Sequence, residues 1–296
     1  MDITSPKHSG VDNKIDTATG TLNSSGSAAT MIVGSSGYVA LLDVLGYREL
    51  VAADRNNVRI IEYLGIVENS LKIPGIESVV FSDSIVLTKH GRDSESLRVV
   101  CEVCSRLMFN LISSNIPVRG AIACGDYVTS RIDNSTFVAG KPIVEAYDYE
   151  SRQDWIGVIL TASAIRAAQE VDLPSQCDTG FVNDLAFPIL SEYLKWKAYL
   201  QRCTHVPFHG GTQSVPSFYD GLAIVPGGST SLEQMAGNLQ IMLDRLAWLK
   251  MLAPTPADQQ KYAGTITWLR QIQGTWHSRA NEYKAWRTDL ERGNGQ

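Results

Sequence analysis

An eight-residue apolar run, Tyr38-Val39-Ala40-Leu41-Leu42-Asp43-Val44-Leu45, contains a single acid and stops at Gly46. A run of this kind suits a central strand covered on both faces, so the sheet built around it must place one carboxylate, Asp43, among apolar neighbours. An unpartnered carboxylate there costs several kcal/mol or is forced neutral, and buried charges are normally paired or coordinate metals. Asp43 therefore asks for a cation.

The rest of the pattern supplies neighbours for that strand. A helical stretch over 47–71 places Leu50, Val58, Ile61 and Leu64 on one face and ends at the Pro74-Gly75 turn. In Ser78–Thr88 two β-rich runs flank Ser82-Asp83-Ser84, which reads as a hairpin with Asp83 at its tip. From Glu95 to Ile112, Leu97, Val100, Cys101, Cys104, Leu107, Met108 and Leu111 recur at helical spacing. A strand over Val118–Cys124 closed by Gly125-Asp126, a strand at Thr136–Ala139, a helix through Glu150, a strand at Ile156–Thr161 and a helix over Ala162–Val171 follow. The order from Tyr38 is that of an α+β, ferredoxin-like split βαβ sheet with helices on one face. Tyr219–Val225 adds a late strand. The tail is helical, striped by Leu239, Met242, Leu246, Leu249 and Leu252 and divided at Pro254-Thr255-Pro256.

Composition bounds the domain plan and the partners. Residues 1–36 hold sixteen Ser, Thr or Gly and little apolar periodicity, so they read as a flexible leader before a domain at 37–230 and a helical extension at 231–296 packed on that domain. With 26 basic and 31 acidic residues, net charge −5, the 296-residue chain lacks the positive field that steers proteins to nucleic acid or anionic lipid. No apolar run approaches the ~18 residues of a membrane span and no signal pattern opens the sequence, so the expected location is the cytoplasm. Five cysteines fit a reducing compartment better than a disulfide framework.

Asp43 and Asp83, one inside a strand and one at a neighbouring hairpin tip, come to the same sheet edge in this topology. Two such oxygen donors suit Mg²⁺ or Mn²⁺, with water and phosphate oxygens completing the shell. The basic residues placed to meet phosphate are Arg119, at a strand start, and Lys141, in Gly140-Lys141-Pro142, with Arg48 and Arg152 behind them. Other features read as packing. Cys101 and Cys104 have CxxC spacing but lie on the apolar helical face, without a second pair to complete a zinc site. His205 and His209 are separated by Pro207 and read as loop residues, and Trp248, Trp268, Trp276 and Trp286 read as core or interface packing.

Four blocks resemble a known family: Leu41-Leu42-Asp43-Val44-Leu45-Gly46-Tyr47, Val80-Phe81-Ser82-Asp83-Ser84-Ile85, Val118-Arg119-Gly120-Ala121-Ile122-Ala123-Cys124-Gly125, and Gly140-Lys141-Pro142-Ile143-Val144-Glu145-Ala146-Tyr147-Asp148-Tyr149-Glu150. Together, over about 38–161, they resemble the class III nucleotide cyclases, and among these the small pyrimidine cyclases of Pycsar antiphage defence. The resemblance implies that Asp43 and Asp83 hold two divalent ions, Mn²⁺ or Mg²⁺, with the Val44 carbonyl as a further ligand; Arg119, from its place at the strand start, is expected to join the two aspartates as a catalytic residue. The resemblance implies nucleotide contacts from Tyr47, Arg48, Val79, Phe137, Lys141, Val144 and Arg152. It also implies a head-to-tail homodimer with sites at the interface, and a cyclic nucleotide product that acts on a separate effector protein.

The departures bear on substrate. Purine cyclases of this family carry a Lys at the position of Val79 and an acid at that of Phe137, and neither residue here can make those hydrogen bonds to a purine edge. Their transition-state Asn and Arg fall at Val144 and Asp148, leaving Arg119, Lys141 and Arg152 to meet developing phosphate charge. The resemblance alone favours UTP, converted to 3′,5′-cyclic UMP and pyrophosphate, over CTP. The alternatives are a cytidylate cyclase, a purine cyclase, and a cyclase homologue that binds a nucleotide without turning it over.

Overall fold

The computed structural model describes residues 31–132, 135–170, 200–208, 217–228 and 232–293. In chain order the elements are β1 (Met31–Val44), α1 (Tyr47–Ala53), α2 (Val58–Ser70), β2 (Glu77–Phe81), β3 (Ser84–His90), α3 (Ser94–Ser113), β4 (Val118–Ile132), β5 (Ser135–Gly140), α4 (Lys141–Arg152), β6 (Val158–Leu160), α5 (Ala162–Glu170), β7 (Leu200–Phe208), β8 (Ser217–Ile224), α6 (Leu232–Leu252) and α7 (Pro256–Gly293). The strands form one mainly antiparallel sheet in the order β2-β3-β1-β4-β6-β8-β7, with β5 hairpinned onto β4. The segment β2-β3-β1-β4 is the expected split βαβ order, and the chain is α+β with a helical C-terminal part.

β1 is central because its apolar run can be covered everywhere: β3 and β4 flank it, and Tyr38, Val39, Ala40 and Leu42 have no exposed surface. It begins at Met31, so residues 31–36 of the stretch expected to be a leader are strand, paired with 126–131 of β4. For the same reason β4 does not stop at Gly125-Asp126. Those residues pair with Gly37 and Ser36, and the ladder continues to Ile132.

Alternation along β1 puts Tyr38 and Asp43 on opposite faces. The Tyr38 hydroxyl donates to the Arg92 carbonyl at 3.2 Å, beside the start of α3. On the Asp43 face the cross-strand neighbour Arg119 pairs with Glu150 of α4. Helices therefore cover both faces of the sheet, where the strand order alone led us to expect one.

The single helix expected over 47–71 is two helices. The Asp54 carboxylate accepts from the Val58 amide at 3.0 Å and from the Ile60 amide at 3.0 Å, taking up the unpaired donors of α2's first turn and fixing a break before it. The buried stripe of α2 is Tyr63, Val67 and Ser70, while Val58, Ile61 and Leu64 are exposed. α3 forms as its periodicity predicts, with the Asp93 side chain accepting from the Ser96 amide at 2.8 Å as N-cap. Cys101 and Cys104 are free thiols in its buried face, and burial pushes both well above their ordinary pKa.

β7 has no counterpart in the sequence reading, and His205 lies within it rather than in a loop. Pro207 is tolerated there because β7 is the last strand of the sheet. α6 buries Leu239, Met242, Leu246 and Leu249 and leaves Leu252 exposed. From α7, Trp268 meets the Trp155 ring at 5.3 Å, and the Thr265 hydroxyl donates to the Ile156 carbonyl at 2.8 Å. Among the described residues no helix is long and apolar enough to cross a membrane.

Candidate active site

Asp43 occupies the penultimate position of β1, between Ser84 of β3 and Arg119 of β4. The two-residue turn Ser82-Asp83 joins β2 to β3, with Ser82 at φ 58 in the left-handed region. The Val44 amide donates to the Asp83 carbonyl at 3.0 Å, which pins the hairpin tip to the end of β1 and brings the two aspartates together.

A third carboxylate joins them. The buried residues of α4 are Pro142, Ala146 and Glu150, a stripe spaced by four that turns Glu150 toward the sheet. The Arg119 Nε donates to Glu150 Oε1 at 2.5 Å, and its Nη1 donates to the Gln153 carbonyl at 3.1 Å. The Gln153 side chain in turn donates to the Gly120 carbonyl at 2.8 Å and accepts from the Trp155 indole at 2.6 Å. Arg119 is thereby held flat against α4 beside Asp43.

The electrostatics follow from this crowding. Burial, with the nearby charges of Glu150 and then Asp83, pushes the Asp43 carboxyl up to about 6, against the opposing pull of Arg119. Burial also raises Glu150 above the usual carboxylate range, countered by Arg119. Among the described residues the three carboxylates therefore crowd more negative charge here than the Arg119 guanidinium offsets. Among the described residues no three His, Cys, Asp or Glu side chains form a closed metal centre. Asp43 and Asp83 are the residues that could hold a divalent ion, whose remaining ligands would be water and substrate oxygens.

The other expected site residues divide into two groups. Tyr47 stays close to the aspartates, packing edge-on against Tyr63 with ring centroids 5.8 Å apart, and Arg48 is exposed beside it at the start of α1. Val79 lies on the edge strand β2, opposite Val86. Phe137 pairs with Ser130 near the far end of β4 and is 54% exposed. Lys141 opens α4 at the end opposite Glu150, about 14 Å along the helix axis. Val144 is 69% exposed on that helix. Arg152 pairs with Asp148 at 3.3 Å and lies 5.3 Å from the centre of the Phe208 ring. One chain therefore gathers Asp43, Val44, Asp83, Arg119 and Tyr47, and does not bring Phe137 or Lys141 to them.

The sequence reading missed Glu150 and Tyr63 as site neighbours. Glu150 had a signal, since it continues the four-residue spacing of Pro142 and Ala146 on a helix that must cover the sheet. Tyr63 shares a stripe with Val67 and Ser70 that the more apolar Val58, Ile61 and Leu64 obscured.

No family model matches the sequence, and no curated protein matches it. Among solved structures, it is similar to a class III adenylyl cyclase-like ATP-binding protein from Pseudomonas aeruginosa, at 12% identity and TM-score 0.37, over 46% of this chain and 35% of that one. It is also similar to the dimeric guanylyl cyclase domain of the RhoGC fusion protein from the aquatic fungus Blastocladiella emersonii, at 14% identity and TM-score 0.36, over 46% and 84%. A third is the catalytic core of a rhodopsin-guanylyl cyclase with converted specificity in complex with ATPalphaS, at 10% identity and TM-score 0.39, over 67% and 98%. The chain thus spans about a third of the Pseudomonas protein's length and nearly all of the rhodopsin-guanylyl cyclase core. The solved structures it resembles are nucleotide cyclase and cyclase-like domains.

Proposed function

We propose that this chain is a metal-dependent nucleotide cyclase that acts on a pyrimidine nucleotide, UTP in preference to CTP, and releases pyrophosphate. The observation that carries the reading is the pinning of Asp83 to the end of β1 beside Asp43, with the Asp43 carboxyl raised to about 6. A like-charged pair held together in a partly buried site is relieved when a cation binds it, and perturbed carboxyls of this kind concentrate at functional sites.

Asp43 and Asp83 would hold the divalent ions. A divalent ion held there would supply Lewis acidity to the attacking hydroxyl and countercharge to the leaving pyrophosphate. The ribose 3′-oxygen attacks the α-phosphorus in line, the bond to the bridging oxygen breaks, and the 3′ proton passes to solvent. The protein's part is positioning and charge stabilisation. Glu150 and Gln153 fix Arg119 so that its guanidinium stays beside Asp43. Val79 and Phe137 present no donor or acceptor side chain to a base, which disfavours purines. Because Phe137 and Lys141 lie away from Asp43 within one chain, a complete site draws them from a second copy in a twofold dimer. The product, a 3′,5′-cyclic pyrimidine monophosphate, would serve as a signal to a separate effector in antiphage defence, as the Pycsar resemblance implies.

A second reading, nucleotide binding without turnover, is favoured by one observation. Arg119 and Arg152 are already engaged within the chain, and Lys141 is remote. Incubating the protein with ATP, GTP, CTP and UTP in Mn²⁺ and identifying products by mass separates the readings. The cyclase reading predicts one cyclic pyrimidine product. A cyclic purine would remove the substrate assignment, and protection of a nucleotide-bound protein from heat without any product would favour the binding reading.

A further inference from the structure

Residues 153–157, between the end of α4 and the start of β6, adopt no regular helix or strand, and three residues of α7 hold them. Lys261, Thr265 and Trp268 are spaced by four and three, so they share one face of that helix. The Lys261 Nζ lies 3.7 Å from the Asp154 carboxylate. The Thr265 hydroxyl accepts from the Ile156 amide at 3.1 Å and donates to the Ile156 carbonyl at 2.8 Å, and the Trp268 ring meets that of Trp155. Trp155 is closely confined, since a Cβ on Gly157 would meet its ring at 2.7 Å. The same segment holds Arg119. The Trp155 indole donates to the Gln153 side-chain oxygen at 2.6 Å, and the Gln153 side-chain amide donates to the Gly120 carbonyl at 2.8 Å. The Gln153 main-chain carbonyl then accepts from Arg119 Nη1 at 3.1 Å. With Nε engaged by Glu150, two of the three guanidinium nitrogens are fixed, and Nη2 has no partner among the described residues. Residues directly opposite on antiparallel strands share a face, so Arg119 lies on the Asp43 side of the sheet.

We infer that Trp155, Thr265 and Trp268 are positioning residues for Arg119, and that α7 acts through the 153–157 segment to aim the remaining Nη2 donor at the reacting phosphate. This rests on the proposed cyclase reading. Gln153, Trp155, Thr265 and Trp268 are all buried, so a donor removed from this chain of contacts leaves its acceptor unsatisfied and the loss is felt along it. A guanidinium that meets charge developing on a phosphate serves the transition state more than the bound substrate. Misaiming it therefore lowers kcat and leaves KM near its original value.

The test measures thermal melting, and kcat and KM for the nucleotide turned over, UTP on that reading. It compares the full chain with Trp155→Phe, Thr265→Val, Thr265→Ser and Leu97→Ala. Trp155→Phe keeps an aromatic ring against Trp268 and removes the indole donor. It and Thr265→Val should each lower kcat about tenfold with KM changed by less than about twofold. Thr265→Ser retains the hydroxyl and should bring kcat back to within about twofold of the wild type. Leu97→Ala opens a cavity in the buried face of α3, outside this chain of contacts. It should lower the melting temperature and leave kcat unchanged where all the proteins are folded. Wild-type kcat in a folded Trp155→Phe would overturn the inference and leave the cyclase reading standing, as would an equal loss of kcat in Leu97→Ala. A wild-type chain that forms no cyclic product from any nucleotide would overturn both.

Discussion

Replacing Asp43 by asparagine keeps the side chain's shape and removes the charge that its surroundings disfavour. In the folded chain this carboxyl titrates at about 6, against 3.8 when free, a difference worth about 3 kcal/mol for a group shielded from solvent. Asp43 is only partly buried, so solvent screening reduces the effect to about 1–2 kcal/mol. The sign follows from linkage. An acid whose folded pKa lies above its unfolded value stabilises the fold in its protonated form, and that contribution is lost as pH rises from about 4 through about 6. In EDTA at pH 7.5, Asp43→Asn should therefore be more stable than the wild type by about 1–2 kcal/mol, or roughly 3–6 °C in melting temperature. At pH 4 the two should coincide, because the wild-type carboxyl is then neutral. Adding Mn²⁺ at pH 7.5 should raise the wild type and leave the variant unchanged, closing or reversing the gap. Urea denaturation and thermal melting at both pH values read all three outcomes. A variant less stable at pH 7.5 without metal, or an equal difference at both pH values, would refute the crowded-carboxylate account of the site.

Three other expectations follow from the geometry. Arg119→Met leaves Glu150 buried without its ion-pair partner and should cost about 3 kcal/mol in urea denaturation at pH 7; a loss under 1 kcal/mol would mean the pair is not structurally engaged. Ser82→Gly relieves a left-handed backbone position at the hairpin tip and should stabilise by about 0.5–1 kcal/mol, whereas a destabilised variant would contradict that turn geometry. Mixing Asp43→Ala subunits with Lys141→Ala subunits, each inactive alone, should restore activity through one intact site per mixed dimer; inactivity of every mixture would place the site within one chain.

Much of this arrangement is legible in the sequence where local pattern and tertiary demand agree. The Tyr38–Leu45 run suits a covered strand, and the polar Ser82-Asp83-Ser84 break between β-rich runs suits a turn, so pattern alone puts Asp43 in a strand and Asp83 at a hairpin tip. α3 is legible because its apolar residues repeat over five turns. The break between α1 and α2 is not, because it depends on one side chain, Asp54, competing for backbone donors inside an otherwise helical stretch. The outward turn of Val58, Ile61 and Leu64 likewise reflects which stripe meets α3, and hydrophobicity alone favours the wrong one. β7 is hidden by Pro207, whose position on the edge strand is a fact of topology. The pairing of Arg119 with Glu150 joins residues 31 apart in sequence, and no local signal connects them until α4 is laid back over β4.

The most direct test of the central claim is Mn²⁺-dependent conversion of UTP to a cyclic product by the wild type, Asp43→Ala and Asp83→Ala proteins, each checked for intact fold by circular dichroism. The account predicts cyclic UMP and pyrophosphate from the wild type and none from either variant, with both variants folded. Full product formation by either folded variant would contradict it, since the replaced aspartate could not then be holding the ion on which the reaction depends.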